Sequence, residues 1–473
     1  MTLYEQLVQK ISQQIEEGIF KSGDKLPSIR RLSRLNGVSV ATVQKAYAVL
    51  EDQRIIEPRP KSGFFVKARE VAPLKRPIQA LGLPNEVAIH DLAIQTFHAC
   101  ENAGIVNFGT AYPSIEFLPL KQLQRIMRKL IQLEMKDLLT AHFSGGHQFL
   151  KRQVSRRLAE TGCHIAEDEV IVTNGCQEAL ILCLRAVASP GDTIAIESPA
   201  FVGLLQAIES LGLKALEIPA DSNDGISLEA MALALEQWQI AAVALVPAFN
   251  NPSGSNMSQA NKKKLVELLA ETSVPLIEDD LFGDLSHSAT RNAPAKAYDK
   301  NGLVLYCSSI SKSVAPGFRV GWVCPGKYFN KIEYLKSFTN VSASSMAQAA
   351  AAEFLSTGAY DRHIRQLCNI YMQHIDWFQK KIALHFPAGT ILSQPKGGYI
   401  LWVELPKGCN TTAMFDSAIQ QGIAFLPGQL FSSKGKYLNC LRINCSVSID
   451  QKTEQAIQQL GVIAEQNIQQ SIN

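Results

Sequence analysis

Lys312 closes the polar run Ser308-Ser309-Ile310-Ser311-Lys312, and the carboxylates of Asp279 and Asp280 directly follow the apolar segment PLIE. A lysine amine can capture a carbonyl carbon as a Schiff base, and a nearby carboxylate can keep a ring nitrogen protonated so that the ring accepts electrons. A hydrophobic strand does not deliver a carboxylate to its end without a partner for it. Further segments could serve the same chemistry. Asn174-Gly175-Cys176-Gln177-Glu178 is a glycine turn opening a helix, where free N–H groups can receive a phosphate. Ser198-Pro199-Ala200-Phe201 presents an aromatic ring, Phe249-Asn250-Asn251-Pro252-Ser253-Gly254 is a turn, and Pro316-Gly317-Phe318-Arg319 follows the lysine. Taken singly, these are tight turns and a core phenylalanine. Their order along the chain joins them.

That order is set by the elements that carry them. VIVT, TIAIE, ALEI, AVALV, PLIE and LVLY are β-branched runs, mostly separated by helix-length segments. They predict an α/β domain with a mostly parallel sheet. In such a sheet ligands gather beyond the carboxyl ends of the strands, which is where the segments above lie. A phosphate cradle, a ring platform, a carboxylate and a lysine together match the needs of pyridoxal 5′-phosphate.

The first part of the chain has a different character. Residues 1–76 carry 14 Lys+Arg against 8 Asp+Glu, whereas the whole chain has a net charge of only +3. A basic head on a mildly acidic body suits a polyanionic partner for the head alone. Leu3, Leu7, Ile11 and Ile15 mark one face of an opening helix, and Ile29, Leu32 and Leu35 mark a second, short one. Gly37 can close the second helix, and Ser39 can cap a third that turns Val43, Ala46, Tyr47 and Leu50 inward. This spacing predicts a helix-turn-helix, followed by a two-stranded wing around Pro58-Arg59-Pro60-Lys61-Ser62-Gly63. Val40, Ala41, Gln44 and Lys45 are left exposed on the third helix, and Arg59 and Lys61 stand where a wing meets phosphate. Double-stranded DNA is the expected partner.

At 473 residues and 46% hydrophobic composition the chain is expected to fold as two or three domains. It has no apolar run long enough for a membrane span, and MTLYEQLVQK lacks the apolar stretch of a signal peptide. Ten scattered cysteines without CxxC spacing argue against a zinc module, any other metal site and a disulfide framework, and for a reducing, cytoplasmic compartment. The expected division is a DNA-binding domain over 1–68, a linker over 69–90 interrupted by prolines, and a body over 91–473.

The stretch LPSIRRLSRLNGVSVATVQKAYAVLEDQRIIEPRPKSGFFV resembles the winged helix of GntR-type bacterial regulators along its full length. The resemblance implies DNA contacts by Arg30, Ser39, Thr42, Lys61, Ser62 and Gly63. It also marks Val40 as a departure, since many relatives carry Arg there. Residues from about 105 to 465 resemble fold-type I aminotransferases of the aspartate aminotransferase group, through TNGCQEAL, ESPAF, NNPSG, IEDDLFGDL, SSISKSVAPGFRVGW and CLRINCS. Together the two parts are similar to MocR-type regulators. The fold implied is a winged helix-turn-helix joined to an α/β fold-type I body, with a mostly parallel large-domain sheet and a smaller α+β domain.

By the same resemblance Lys312 is the Schiff-base lysine and Asp279 pairs with the pyridine nitrogen. Asn251 faces the 3′-oxygen of the cofactor, and Phe201 stacks on its ring where tyrosine is usual. The turn at Gly175, the N–H groups of Cys176 and Gln177, Ser309 and Arg319 hold the phosphate, and Arg442 clamps a substrate carboxylate. A homodimer and an amino-acid or vitamin B6 effector are implied as well. Two positions depart from the family. Phe282 replaces the tyrosine of DDxY, and Ala141 replaces a tyrosine that reaches a neighbouring subunit. Three functions follow as alternatives: a regulator that senses the cofactor or its amino-acid adducts, a working aminotransferase with a DNA-binding appendage, and a cofactor-free regulator that uses its body to dimerise. Phe282 and Ala141 favour weak or absent turnover.

Overall fold

The structure is a computed structural model that describes residues 2–16, 19–20, 23–53, 55–60, 62–67, 81–102, 104–140, 145–221, 223–288 and 290–472. In the head, helices Leu3–Glu16, Ile29–Asn36 and Val40–Asp52 precede a hairpin of β1 (Ile56–Arg59) and β2 (Gly63–Val66). The Ser28 hydroxyl accepts from Arg31 N–H at the start of the second helix, and Gly37 ends it at a φ of 63°, a left-handed value that suits glycine. The Ser39 hydroxyl caps the third helix by accepting from Thr42 N–H at 3.1 Å. Leu7, Ile11, Leu26, Leu32, Val43, Ala46, Tyr47, Leu50, Ile56 and Val66 form the core of this head. Two residues expected inside, Leu3 and Leu35, are 61% and 68% exposed, because three short helices cover only the centre of each apolar stripe.

Sheet pairing in the body reaches back to β3 (Asn85–Glu86), inside the segment that the sequence suggested as a linker, while residues 68–80 lie outside the described residues. Helix His90–Cys100 follows and buries Ala93, Thr96 and Cys100. Of its larger apolar residues, Leu92 and Phe97 pack partly buried against the core while Ile94 is exposed. Small side chains let this helix lie close to helix Val202–Ser210.

After β4 (Val106–Asn107), the large sheet is built from β5 (Ile171–Thr173), β6 (Thr193–Ser198), β7 (Lys214–Asp221) with the short β8 (Gly225–Ile226), β9 (Ile240–Leu245), β10 (Leu276–Asp279), β11 (Val304–Ser309) and β12 (Gly321–Cys324). Its order is β3-β7-β6-β9-β10-β11-β12-β5. Strands β7, β6, β9, β10 and β11 are parallel to one another, whereas β3 and β8 run antiparallel to β7, and β12 runs antiparallel to both β11 and β5. All six strands expected from the sequence are present. Reversal at β12 leaves β5 pointing the same way as β11, so the carboxyl ends of β5, β6, β9, β10 and β11 share one edge. A smaller unit pairs β13 (Ile391–Leu392), β14 (Ile400–Glu404), β16 (Leu426–Pro427) and β17 (Cys440–Asn444) in one antiparallel sheet, while β15 (Ile423–Ala424) lies beside β4. No helix among the described residues is long and apolar enough to cross a membrane.

Candidate functional site

Lys312 lies just past β11, with its amine donating to the carbonyl of Ala111 at 2.7 Å and resting over the Tyr112 ring at 4.3 Å. Burial, reinforced by the positive charges of Arg442 and Arg319 and opposed by Asp279, pushes its pKa down to about 7. A lysine so placed carries a substantial neutral, nucleophilic fraction near neutrality. Asp279, the last residue of β10, is 3% exposed and accepts from the Cys176 thiol at 3.4 Å. Burial pushes its carboxyl up to about 7, against the Cys176 hydrogen bond and the nearby Lys312. Among the described residues no guanidinium or ammonium is bonded to this carboxylate. A cationic ring nitrogen would supply the missing charge.

Arg442, on β17, is buried, and loss of hydration lowers its pKa to about 10. One of its nitrogens donates to the Asn251 Oδ1 at 3.3 Å. Its Nε and the other Nη are buried and find no hydrogen-bond partner among the described residues. An unsatisfied buried guanidinium edge is costly, and a carboxylate would satisfy it through two parallel bonds.

The phosphate end is shaped by Gly175, whose φ of 81° and ψ of 174° are accessible essentially only to glycine. Any Cβ there would run into the Arg319 guanidinium, and one at Gly321 would strike the Gly175 backbone. Arg319 donates to Asn174 O at 3.2 Å and to the Ser311 hydroxyl at 3.3 Å, and Ser311 N–H donates to the Ser309 hydroxyl at 3.2 Å. Helix Cys176–Val187 begins immediately after the glycine, so the N–H groups of Cys176 and Gln177 stand at its positive end. The Gln177 side chain is engaged elsewhere, donating to Gly203 O at 2.7 Å. Phe201 precedes helix Val202–Ser210 with its ring over Gly203. These features fit a phosphorylated, ring-bearing aldehyde.

Several partners were not visible in the sequence. Asp280 is held by Arg291 and accepts from Tyr306 at 2.8 Å, and Arg291 also donates to Asp284 at 2.5 Å. This network is the partner that the second carboxylate required, and it ties down the end of β10. Glu197, on β6, accepts from Val246 N–H at 2.8 Å, and burial pushes it up to about 8. Phe282 is buried, with its ring edge-on to Tyr399 at 5.4 Å. Tyr399 itself donates to the Ala111 carbonyl at 3.0 Å, the same oxygen that receives Lys312. The glycine pair before Tyr399 was the one local signal that this segment sits tightly. Ala141 lies outside the described residues.

In the head, Arg30, Ser39, Ser62 and Gly63 are exposed and Thr42 is half-buried. The Ser39 and Thr42 hydroxyls lie 2.8 Å apart. Val40, Ala41, Gln44 and Lys45 face solvent as expected, with Val40 45% exposed. Arg59 pairs with Glu57 at 2.9 Å and lies over the Phe65 ring, which leaves it less available than the sequence suggested. Lys61 lies outside the described residues.

Family models match two stretches of the chain. Bacterial regulatory proteins of the gntR family match residues 3–66, and aminotransferase class I and II matches residues 106–460. The uncharacterized HTH-type transcriptional regulator YjiR of Escherichia coli (strain K12) is 38% identical over 98% of this chain and 98% of its own length. The uncharacterized HTH-type transcriptional regulator YdcR of the same organism is 35% identical over 99% of this chain and its whole length. The chain belongs to this two-part family, the MocR type. Its aminotransferase body is similar to the crystal structure of Pyrococcus horikoshii kynurenine aminotransferase in complex with PMP, at a TM-score of 0.74 and 27% identity over 81% of this chain and 95% of that one. A fold of this class implies dependence on pyridoxal phosphate, and a GntR head implies DNA binding.

Proposed function

We propose that this MocR-type regulator binds operator DNA through two GntR heads of a homodimer and senses pyridoxal 5′-phosphate, or its combination with an amino acid, at Lys312. The observation that carries the sensing half is the meeting of three groups from distant parts of the body: a lysine with a pKa near 7, a buried carboxylate without a cation bonded to it, and a buried guanidinium with two unpaired nitrogens.

When bound, the cofactor supplies an aldehyde carbon and an electron-accepting ring. The residues do the rest. Lys312 offers its neutral amine. Asp279 holds the proton on the ring nitrogen, and Asn251 donates its amide N–H toward the ring oxygen. Phe201 covers the ring. The N–H groups of Cys176 and Gln177, with Ser309 and Arg319, bind the phosphate beside Gly175. Arg442 receives the carboxylate of an entering amino acid. Phe282 brings no hydroxyl to the ring oxygen, so turnover is slow and occupancy becomes the signal. On the head, Arg30, Lys61, Ser62 and Gly63 meet the DNA backbone while Ser39 and Thr42 seat the third helix in the groove.

Occupancy can change DNA affinity only if it favours one arrangement of head and body over another. The test is a DNA titration of wild type and Lys312→Ala, each with and without pyridoxal phosphate and amino acid. Ligand should shift the wild-type curve alone. Four coincident curves would reduce the body to a dimerisation scaffold, and rapid multiple-turnover keto-acid production would favour the working enzyme.

A further inference from the structure

Lys312 donates to the middle one of three successive carbonyls, and side chains of the smaller unit hold all three. Asn444, the last residue of β17, donates to Thr110 O at 2.7 Å and to Tyr112 O at 2.9 Å. Its own amide oxygen accepts from Ser446 N–H at 2.8 Å, which fixes which end of the amide faces the loop. Tyr399, immediately before β14, donates to the carbonyl between them, Ala111 O. Tyr399 is fully buried, with its ring packed against Phe282 and Tyr371. Lys312 is the second donor on Ala111 O.

We infer that the Ala111 carbonyl is the docking acceptor for the free Lys312 amine, and that Tyr399 is a positioning residue that sets how tightly it holds. The inference rests on Lys312 being the cofactor lysine. Such a lysine must alternate between a covalent partner and a free amine, and each departure strips the carbonyl of one donor. A carbonyl oxygen can accept two hydrogen bonds, and a buried one left with none is costly. Tyr399 keeps Ala111 O satisfied in both conditions, so the loop 110–112 need not move. While the lysine is docked, the phenol competes for the electron density of the same oxygen and weakens its grip on an ammonium. The lysine is thereby easier to deprotonate and to release.

Other charged and titratable groups facing Lys312 are Asp279 from β10, Arg442 from β17, Arg319 after the lysine turn, Cys176 at the helix start and Tyr112 in the loop itself. Tyr371 and Arg442 also face Tyr399. All of these remain in the variants below, so a shift between variants reports the phenol.

The experiment measures labelling of Lys312 by formaldehyde and cyanoborohydride against pH in the full-length, cofactor-free protein, read by peptide mass mapping. In Tyr399→Phe the oxygen turns wholly to the lysine, and a hydrogen bond to the charged form raises a pKa, so the midpoint should move upward by about half to one pH unit. An unchanged or lower midpoint would overturn the inference. Loosened packing would rehydrate the amine and raise the midpoint as well, so a shape-preserving variant separates the two. Incorporation of 3-fluorotyrosine at 399 preserves the shape and strengthens the donor, so it should move the midpoint downward. An upward shift or none would overturn the inference even if the phenylalanine variant failed to fold. Pyridoxal phosphate serves as the second probe. If formaldehyde labels Lys312 and pyridoxal phosphate does not add there, the cofactor reading fails while the midpoint comparison still decides the role of Tyr399.

Discussion

The head and the body solve recognition in opposite ways. In the head the candidate contact residues that the structure describes are mostly exposed, as suits a highly charged surface that has to reach them. In the body the candidate groups are buried, and burial itself gives Lys312 and Asp279 their unusual protonation. Head contacts should therefore behave as separable, salt-sensitive increments. Body contacts should behave as a coupled set, in which changing one group changes the titration of another.

The largest effect expected from breaking this contrast is at Lys312. Lys312→Ala should abolish covalent capture of pyridoxal phosphate altogether, while intrinsic DNA binding by the ligand-free protein stays intact. Borohydride trapping with peptide mapping checks the first, and trapping at another lysine would refute the assignment.

Arg442→Ala comes next. Loss of charge-assisted bonds worth about 1.5–3 kcal/mol should weaken amino-acid binding by about ten- to a hundredfold in a spectral titration. Because the Arg442 charge helps to hold Lys312 near 7, its removal should also raise the pH at which the lysine becomes reactive. Wild-type capture should rise with pH through about 7 and level off above it, since only the neutral amine attacks. Coupling of this kind has no counterpart in the head.

Ser39 sharpens the comparison within the head, where one hydroxyl caps a helix and is also a proposed DNA contact. Ser39→Asp retains the cap but sets an anion against phosphate, so operator affinity should fall by roughly tenfold with the thermal transition unchanged. Ser39→Ala should instead cost about 1 kcal/mol of head stability, visible by calorimetry. Arg30→Ala should weaken DNA binding a few-fold and flatten its salt dependence by about one unit of slope, without altering the cofactor spectrum. Smallest of all is Phe282→Tyr, which should tighten cofactor binding by less than about tenfold, the worth of one hydrogen bond. No change in an equilibrium dialysis measurement would mean that another group already serves the ring oxygen.

Local sequence was sufficient wherever the physics is local. The caps at Ser39 and Gly37, the glycine turn at Gly175 and the six strands of the large sheet depend on neighbouring residues, and all were legible from residue type and spacing. The presence of Asp279 at the end of β10 and of Lys312 just past the end of the adjacent β11 followed from the same patterns. Three-dimensional packing alone decided which charges meet. Lys312 finds its acceptor 201 residues away and Tyr399 finds the same oxygen 288 residues away, across the two sheets of the body. The glycine pair before Tyr399 marks a tight segment but not its partner, and Asn444 and Arg291 carry no local mark of theirs, because a hydrogen bond between distant segments leaves no periodicity. The shifted protonation of Lys312 and Asp279 has the same origin. Loss of water and the approach of Arg442 exist only once the sheets have closed over the site.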